Sequence, residues 1–275
     1  MNIQKAIDKA REKRESGKVR VQEKPTAPIL QYLEDETPWT APVYNTSTNI
    51  TIDPDVLKAN RCICIEPDSP EVECYKFLRA KIQFHAVKND WRSVLITSPT
   101  PGDGKTLTAV NLALTVAKAY DQTVLLADCD LKRQSVHKFL SVTSIAGLQN
   151  YLVDHTPLEN IIVWPGIEKL SFISGGKPIA NSAEVVGSPR MKALVKELKT
   201  RYEDRIVLFD APPVLSGADT LALAPLMDCI IMVVTEGKTS LKDIRQAIDM
   251  LPSDKLLGFV MNQQKTNAFN GYYYN

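Results

Sequence analysis

The sequence predicts a doubly wound α/β domain with a mainly parallel sheet and helices on both faces, preceded by a flexible N-terminal extension. Three observations predict it. Six short runs are continuously apolar or β-branched, helix-length segments separate most of them, and a glycine-bearing turn joins the first run directly to a helix. Continuous apolar strands alternating with helices indicate a parallel sheet covered on both sides, whose ligand lies at the carboxyl ends of the strands.

The first 60 residues read as a short helix and a linker, and the α/β domain as residues 61–275. Ile3, Ala6, Ile7 and Ala10 recur at helical spacing, with Lys5, Lys9, Arg11, Lys13 and Arg14 around them. Such a basic amphipathic helix suits a membrane surface, a partner's groove or a solvated tail. Pro25, Pro28, Pro38, Pro42 and Pro54, with the polar string "NTSTNIT", mark the linker.

From residue 61 the strands are expected at "SVLITS" (93–98), "TVLLAD" (123–128), "LSFIS" (170–174), "RIVLFD" (205–210), "CIIMVVT" (229–235) and "LLGFVMN" (256–262). Helices are expected between them, for example "KTLTAVNLALTVAKAY" and "SPRMKALVKELKTRY".

Composition narrows the function classes. The 275 residues are 44% hydrophobic, enough for one domain with a full core plus an appendage. A net charge of +1 gives no reason to expect nucleic-acid binding. The five cysteines are an odd number, and the opening "MNIQKAIDKAREKRE" is charged rather than apolar, so a reducing cytoplasm fits best. Cys62 and Cys64 have no second Cys or His cluster to complete a metal site. No run approaches the roughly 20 apolar residues of a bilayer span, so membrane association is expected to come through a partner.

After "SVLITS" comes "PTPGDGKT", and a helix follows at once. The phosphate-loop pattern G-x-x-x-x-G-K-[ST] fails at its first glycine, where Pro99 stands, but its functional half is intact. Gly102 and Gly104 let backbone amides turn toward phosphate oxygens, Lys105 reaches the terminal phosphates, and Thr106 offers a hydroxyl to Mg²⁺. The nucleotide-binding stretch is therefore placed at Pro101, Gly102, Asp103, Gly104, Lys105, Thr106 and Leu107, with ATP and Mg²⁺ as cofactors. Two strands end in carboxylates on the same sheet edge, "VLLADCD" at Asp128 and Asp130 and "IVLFDAPP" at Asp210. Carboxylates there hold Mg²⁺, directly or through water, or accept a proton from an attacking hydroxyl.

These residues resemble the bacterial tyrosine kinases of exopolysaccharide and capsule synthesis, a branch of the P-loop ATPases that includes the cell-division-site and chromosome-partition ATPases. "SPTPGDGKT" is similar to the family's first motif. "LLADCDLKR" is similar to its second, D-x-D-x-R, with Lys132 where Arg is expected and His137 following. "VLFDAPP" is similar to its third, and "SGADTLALAPLMDCIIMVV" with "GKTSLKD" resembles its closing strand and helix. The resemblance spans roughly residues 61–275. It implies ATP-dependent protein tyrosine kinase activity with Lys105, Asp128, Asp130 and Asp210 as the catalytic set, Thr106, Asp128 and Asp210 at Mg²⁺, and Asp128 or Asp130 as proton acceptor. It also implies that Tyr272, Tyr273 and Tyr274 are phosphorylated in trans by a neighbouring subunit, controlling polysaccharide polymerisation and export.

Further expectations come from the same likeness. Subunits of the family form a ring through a helical E-x-x-R-x-x-R motif, matched here by Glu73, Lys76 and Arg79. The same residues also read as a charged helix face whose Tyr75, Leu78 and Ile82 pack inward. The implied partner is an inner-membrane polysaccharide co-polymerase that activates the kinase and recruits it to the cytoplasmic face of the membrane. The alternative is a nucleotide-switch scaffold ATPase of the partition type with no tyrosine transfer, in which "YYY" only docks. The absence of a lysine in "TSPTP" disfavours that alternative, and the lack of G-x-G-x-x-G after the first strand removes a dinucleotide oxidoreductase.

Overall fold

The computed structural model describes residues 48–66, 70–142 and 146–264. All of these fall in the larger of two units, Ala41–Asn275. The strands are β1 (Thr48–Asn49), β2 (Ser93–Thr97), β3 (Thr123–Asp128), β4 (Ile162–Trp164), β5 (Leu170–Ile173), β6 (Arg205–Asp210), β7 (Cys229–Thr235) and β8 (Leu256–Asn262). The helices are α1 (Pro54–Ala59), α2 (Pro70–Asn89), α3 (Lys105–Ala117), α4 (Val136–Phe139), α5 (Leu148–Val153), α6 (Ser182–Val186), α7 (Pro189–Thr200), α8 (Asp219–Leu223) and α9 (Leu241–Asp249).

One sheet of eight strands runs in the order β1-β4-β5-β3-β6-β2-β7-β8. Every neighbouring pair is parallel except β4 with β5. The six expected strands are all present, and β2, β3, β5, β6 and β7 are buried along their whole length. Their alternation divides the core. Val94, Ile96, Leu126 and Leu208 face one apolar layer with α3, while Leu95, Leu125, Val207 and Phe209 face a second with Met191, Leu194 and Leu198 of α7.

Helix α3 is an inner helix, with 11 of its 13 residues buried. Helix α2 lies over it, with Val72 and Ile82 buried and Tyr75 and Leu78 partly so. Two of the longer helices, α7 and α9, begin on a side-chain cap. Ser188 Oγ accepts from Met191 N before α7, with Pro189 at the first helical position, and Ser240 Oγ accepts from Asp243 N before α9. Helix α3 begins instead on Gly104, with no side-chain cap.

Two features depart from expectation. Residues 48–60, read as linker, add β1 and α1 to the fold, and Leu57 is buried in the core. Asp53 caps α1 ahead of Pro54. The sheet also acquires an antiparallel pair, because Ile162–Trp164 returns through a tight turn into β5, with Gly166 at φ +75° and Lys169 at φ +65°. Cys62 and Cys64 pack inside the core, where burial pushes their thiols up to about 12 and about 11. Among the described residues no helix is long and apolar enough to cross a membrane.

Asp228, one residue before β7, fastens the entry to the central strands. Its Oδ2 accepts from Arg92 N at 2.8 Å, Ser93 N at 2.9 Å and Ser93 Oγ at 2.9 Å, and Lys199 of α7 pairs with Oδ1. Burial works against the charged form, but Lys199 and the donors from Arg92 and Ser93 hold the carboxyl below its ordinary value. Asp228→Asn should lower stability in urea titrations by about 2 kcal/mol at neutral pH. The depressed value means that the carboxylate's contribution is complete above the unfolded aspartate value and lost as pH falls below it, so the gap between variant and wild type should close below about pH 4. A gap that persists undiminished in acid would show that the charge is not what holds these strands.

Candidate functional site

The site grows out of the edge where β2, β3 and β6 end. Strand β6 lies between the other two, and Asp128 and Asp210 are direct partners across β3 and β6. The turn from Ser98 to Gly104 leaves β2 and runs into α3. Gly102 and Gly104 adopt φ of +83° and +92°, the left-handed region that glycine tolerates without a Cβ penalty. A Cβ on Gly104 would lie 1.9 Å from Asn262 Nδ2. The uncapped start of α3 leaves its first N–H groups directed out of the helix, a ready anion site.

Lys105 and Thr106 open this helix and turn toward the carboxylates. Lys105 Nζ lies 3.2 Å from Asp130 Oδ2 and 3.6 Å from Asp210 Oδ1, and Thr106 Oγ1 donates to Asp210 Oδ2 at 2.7 Å. Ser135 Oγ in turn donates to Thr106 Oγ1 at 3.1 Å. Both oxygens of Asp128 are used by backbone. Oδ1 accepts from Asp130 N at 3.1 Å, and Oδ2 accepts from Ser135 N at 2.9 Å and Val136 N at 3.1 Å. Asp130 Oδ1 accepts from Arg133 N at 2.9 Å.

The electrostatics follow from burial. Asp128 is raised above the usual carboxylate range by desolvation and by the nearby Asp210, despite the two backbone donors. Asp210 is also raised by desolvation, against Lys105 and Thr106. Burial alone would lower Lys105, but Asp210, Asp130 and Asp128 outweigh it and keep the ammonium protonated. Three carboxylates around one ammonium leave room for more positive charge. Asp210 Oδ1 is fully buried and has no hydrogen-bond donor. A hydroxyl, an orphaned carboxylate oxygen and a glycine turn with free amides are a donor set that fits a magnesium nucleotide.

The structure thus brings Lys105, Thr106, Asp128, Asp130 and Asp210 together beside Gly102 and Gly104. Pro101 is exposed at the tip of the turn, and Leu107 is half-buried one residue into α3 beyond Thr106. Asp103 differs from its expected place among the ligand-facing residues, because its side chain is buried and turned away. Its Oδ2 accepts from Thr100 N at 3.0 Å and Thr100 Oγ1 at 2.8 Å, and its Oδ1 accepts from Thr239 Oγ1 at 2.7 Å. Its carbonyl accepts from Thr235 Oγ1 at 3.2 Å and Asn262 Nδ2 at 3.0 Å. Thr235, Thr239 and Asn262 were not singled out by sequence. The only signal was their place at the ends of β7 and β8 and in "GKTS", on the ligand edge of the sheet.

Glu73, Lys76 and Arg79 lie on α2, away from this cluster. Lys76 Nζ pairs with Glu73 Oε1 at 2.7 Å, and Arg79 Nη1 donates to Thr115 O at 2.8 Å near the end of α3. Tyr272, Tyr273 and Tyr274 lie outside the described residues.

Residues 91–270 match the model of the ParA family, described as NUBPL iron-transfer P-loop NTPase. Tyrosine-protein kinase YwqD of Bacillus subtilis is 33% identical over 220 residues, covering 79% of this chain and 92% of that protein. The putative tyrosine-protein kinase EpsB of Ralstonia solanacearum is 31% identical, but the match covers 75% of this chain and only 28% of EpsB. Among solved structures, the BceF tyrosine kinase domain superposes with a TM-score of 0.66 at 28% identity, covering 80% of this chain and 93% of that one.

Gly104→Ala tests the turn. A side chain there meets both the left-handed backbone and Asn262, so titration with a fluorescent ATP analogue should show affinity lower by about tenfold, ~1.4 kcal/mol. Unchanged affinity would mean that this turn does not hold the phosphates.

Proposed function

The chain belongs to the bacterial tyrosine kinases of the ParA-type P-loop NTPases, and on that premise we propose that it transfers the γ-phosphoryl group of ATP to its own Tyr272, Tyr273 and Tyr274. Nucleotide binding and kinase activity come with the family; the tail as acceptor, transfer between subunits and the role in polysaccharide export are the proposal. The observation that supports it most is the meeting of Lys105, Thr106 and three carboxylates around the donor-free Oδ1 of Asp210.

The chain's residues divide the work. The amides of Gly102, Gly104 and Thr106, with the Lys105 ammonium, bind and orient the phosphates. Thr106 Oγ1 and Asp210 would hold Mg²⁺, and Asp128, whose oxygens already serve Asp130, Ser135 and Val136, fixes the loop and orients waters. When bound, Mg²⁺·ATP supplies the phosphoryl group and neutralises charge developing on its oxygens. Asp130, whose Oδ2 meets Lys105 at 3.2 Å, keeps 5% exposure where Asp128 and Asp210 have none. It accepts the phenolic proton as the tyrosine oxygen bonds to the γ-phosphorus and ADP leaves. Such transfer depends mainly on positioning and charge stabilisation.

The acceptor tyrosine comes from an adjacent subunit of a homo-oligomer, in keeping with the family resemblance. A phosphotyrosine carries about two negative charges and is repelled by the acidic rim, which frees the tail after reaction. The membrane-embedded activator is of the polysaccharide co-polymerase class. It holds the kinase at the cytoplasmic face of the membrane, where assembly and dissociation of the subunits control polymer length and export.

Intact-mass spectrometry after incubation with ATP and Mg²⁺ tests this, with and without the activator's cytoplasmic segment. Wild type should gain phosphate masses that are absent from Lys105→Met and from the Tyr272/Tyr273/Tyr274→Phe triple variant. Lys105→Met strands buried carboxylates at a cost of about 3 kcal/mol. Thermal melting and a Thr106→Ala variant therefore separate lost chemistry from lost folding. ATP hydrolysis with no phosphate on the tail under either condition would replace this reading with the nucleotide-switch scaffold ATPase.

A further inference from the structure

We propose that Lys132 and Asp219 form a positioning strut that holds the Asp128–Asp130 loop against the Asp210–Pro213 loop in the geometry needed for phosphoryl transfer. The proposal rests on the kinase reading, but the strut acts on the donor side of the reaction and so can be measured on ATP itself.

Lys132 Nζ meets Asp219 Oδ2 at 2.9 Å, between a half-exposed lysine and a carboxylate whose side chain is 2% exposed. The other oxygen, Oδ1, accepts the Ser182 hydroxyl at the start of α6. Burial works against the Asp219 charge, yet Ser182 and Lys132 together hold its carboxyl below the ordinary range. The backbone closes over the pair: a Cβ on Gly217 would sit 3.2 Å from Asp219 Oδ2 and 3.5 Å from Lys132 Nζ.

The residue after Asp219 completes the link. Thr220 Oγ1 donates to Pro212 O at 2.6 Å, and Thr97 Oγ1 of β2 donates to the same carbonyl at 2.6 Å. Two consecutive residues at the start of α8 therefore grip both carboxylate-bearing loops, one through Lys132 and one through Pro212. Lys132 lies two residues after Asp130, and Asp130 Oδ1 is fixed by the next residue's amide, Arg133 N, at 2.9 Å. Any shift of the Lys132 segment passes within one turn to the carboxylate that faces Lys105 at 3.2 Å. Lys132 bonds to Asp219 rather than to a residue of the phosphate turn, so the strut governs alignment of the reacting groups more than capture of the nucleotide. It also gives Lys132 a defined role where the family pattern has Arg, since a single carboxylate oxygen suits a point charge as well as a planar fork.

The test is steady-state kinetics on the full chain, reading ADP formation and tyrosine phosphate in parallel, with ATP affinity from a fluorescent analogue. Lys132→Met keeps the unbranched stem, one atom shorter, and removes the charge. It should lower kcat by about tenfold while leaving ATP affinity within about twofold. Asp219→Asn should do the same, and the double variant should be no slower than either single one, because both remove one link. Lys132→Arg should restore most of the rate. Unchanged kcat in Lys132→Met, an equal loss of ATP affinity, or additive losses in the double variant would overturn the strut. Should Asp219→Asn unfold, the Lys132→Met and Lys132→Arg pair still decides the matter. Wild type that forms ADP without tyrosine phosphate sinks the acceptor reading alone, and the strut is then judged on ADP formation.

Discussion

The structure depends on one buried ammonium among three carboxylates. Asp128 and Asp210 are cross-strand partners with no solvent exposure, and desolvation raises both. Two such groups side by side would drive the sheet edge apart or take up protons without a cation between the loops. Lys105 is that cation, and its reach is set by where α3 starts. Strand β6 sits between β2 and β3, so a lysine at the head of the helix after β2 arrives over the ends of both acidic strands. A parallel sheet is what allows this, because its carboxyl ends gather on one edge. The two apolar layers, the inner position of α3 and the strand order all serve to hold that lysine in place.

The opposite side of the phosphate loop is fixed by a different device. A carboxylate within the loop would repel phosphate oxygens if it faced them. Asp103 avoids this by spending both oxygens on Thr100 and Thr239 inside the protein. The same residue's carbonyl takes Thr235 and Asn262, so the turn is tied to the ends of β7 and β8. Asn262 also occupies the space next to Gly104 that a side chain would need. The left-handed turn is therefore kept by contacts from the C-terminal third of the chain.

The parts legible in the sequence are those with short-range causes. Fully buried parallel strands appear as unbroken apolar runs, which is why β2, β3, β5, β6 and β7 stand out, and β8 shows the same apolar run although it is an edge strand with Phe259 and Met261 exposed. The two-residue β1 and three-residue β4 offer too little pattern, and helices of four to six residues such as α4 and α6 carry barely one turn of period. Lys105, Thr106, Asp128, Asp130 and Asp210 were readable because each sits at a fixed offset from a strand end. Asp103's latch, the Asn262 contact and the Lys132–Asp219 pair were not, since their partners lie 136, 159 and 87 residues away. A residue's type gives no sign of a partner at such a distance; only the strand order brings them together.

The same reasoning bears on Glu73, Lys76 and Arg79, the residues the family pattern assigns to subunit contacts. Arg79 is drawn inward, where it satisfies the Thr115 carbonyl near the end of α3, and its Nε is buried with no hydrogen-bond partner. Recruiting it to a neighbouring subunit would strip a carbonyl of its donor, at a cost of about 1 kcal/mol or more. Glu73 and Lys76 pair with each other on an exposed face, and such a pair is worth about 1 kcal/mol at most. Exchanging that bond for one to another subunit is nearly neutral, so these two residues are free to change partners and Arg79 is not. A ring, were one built on this helix, would draw its charge contacts from Glu73 and Lys76, while Arg79 keeps α2 seated on the helix that carries Lys105.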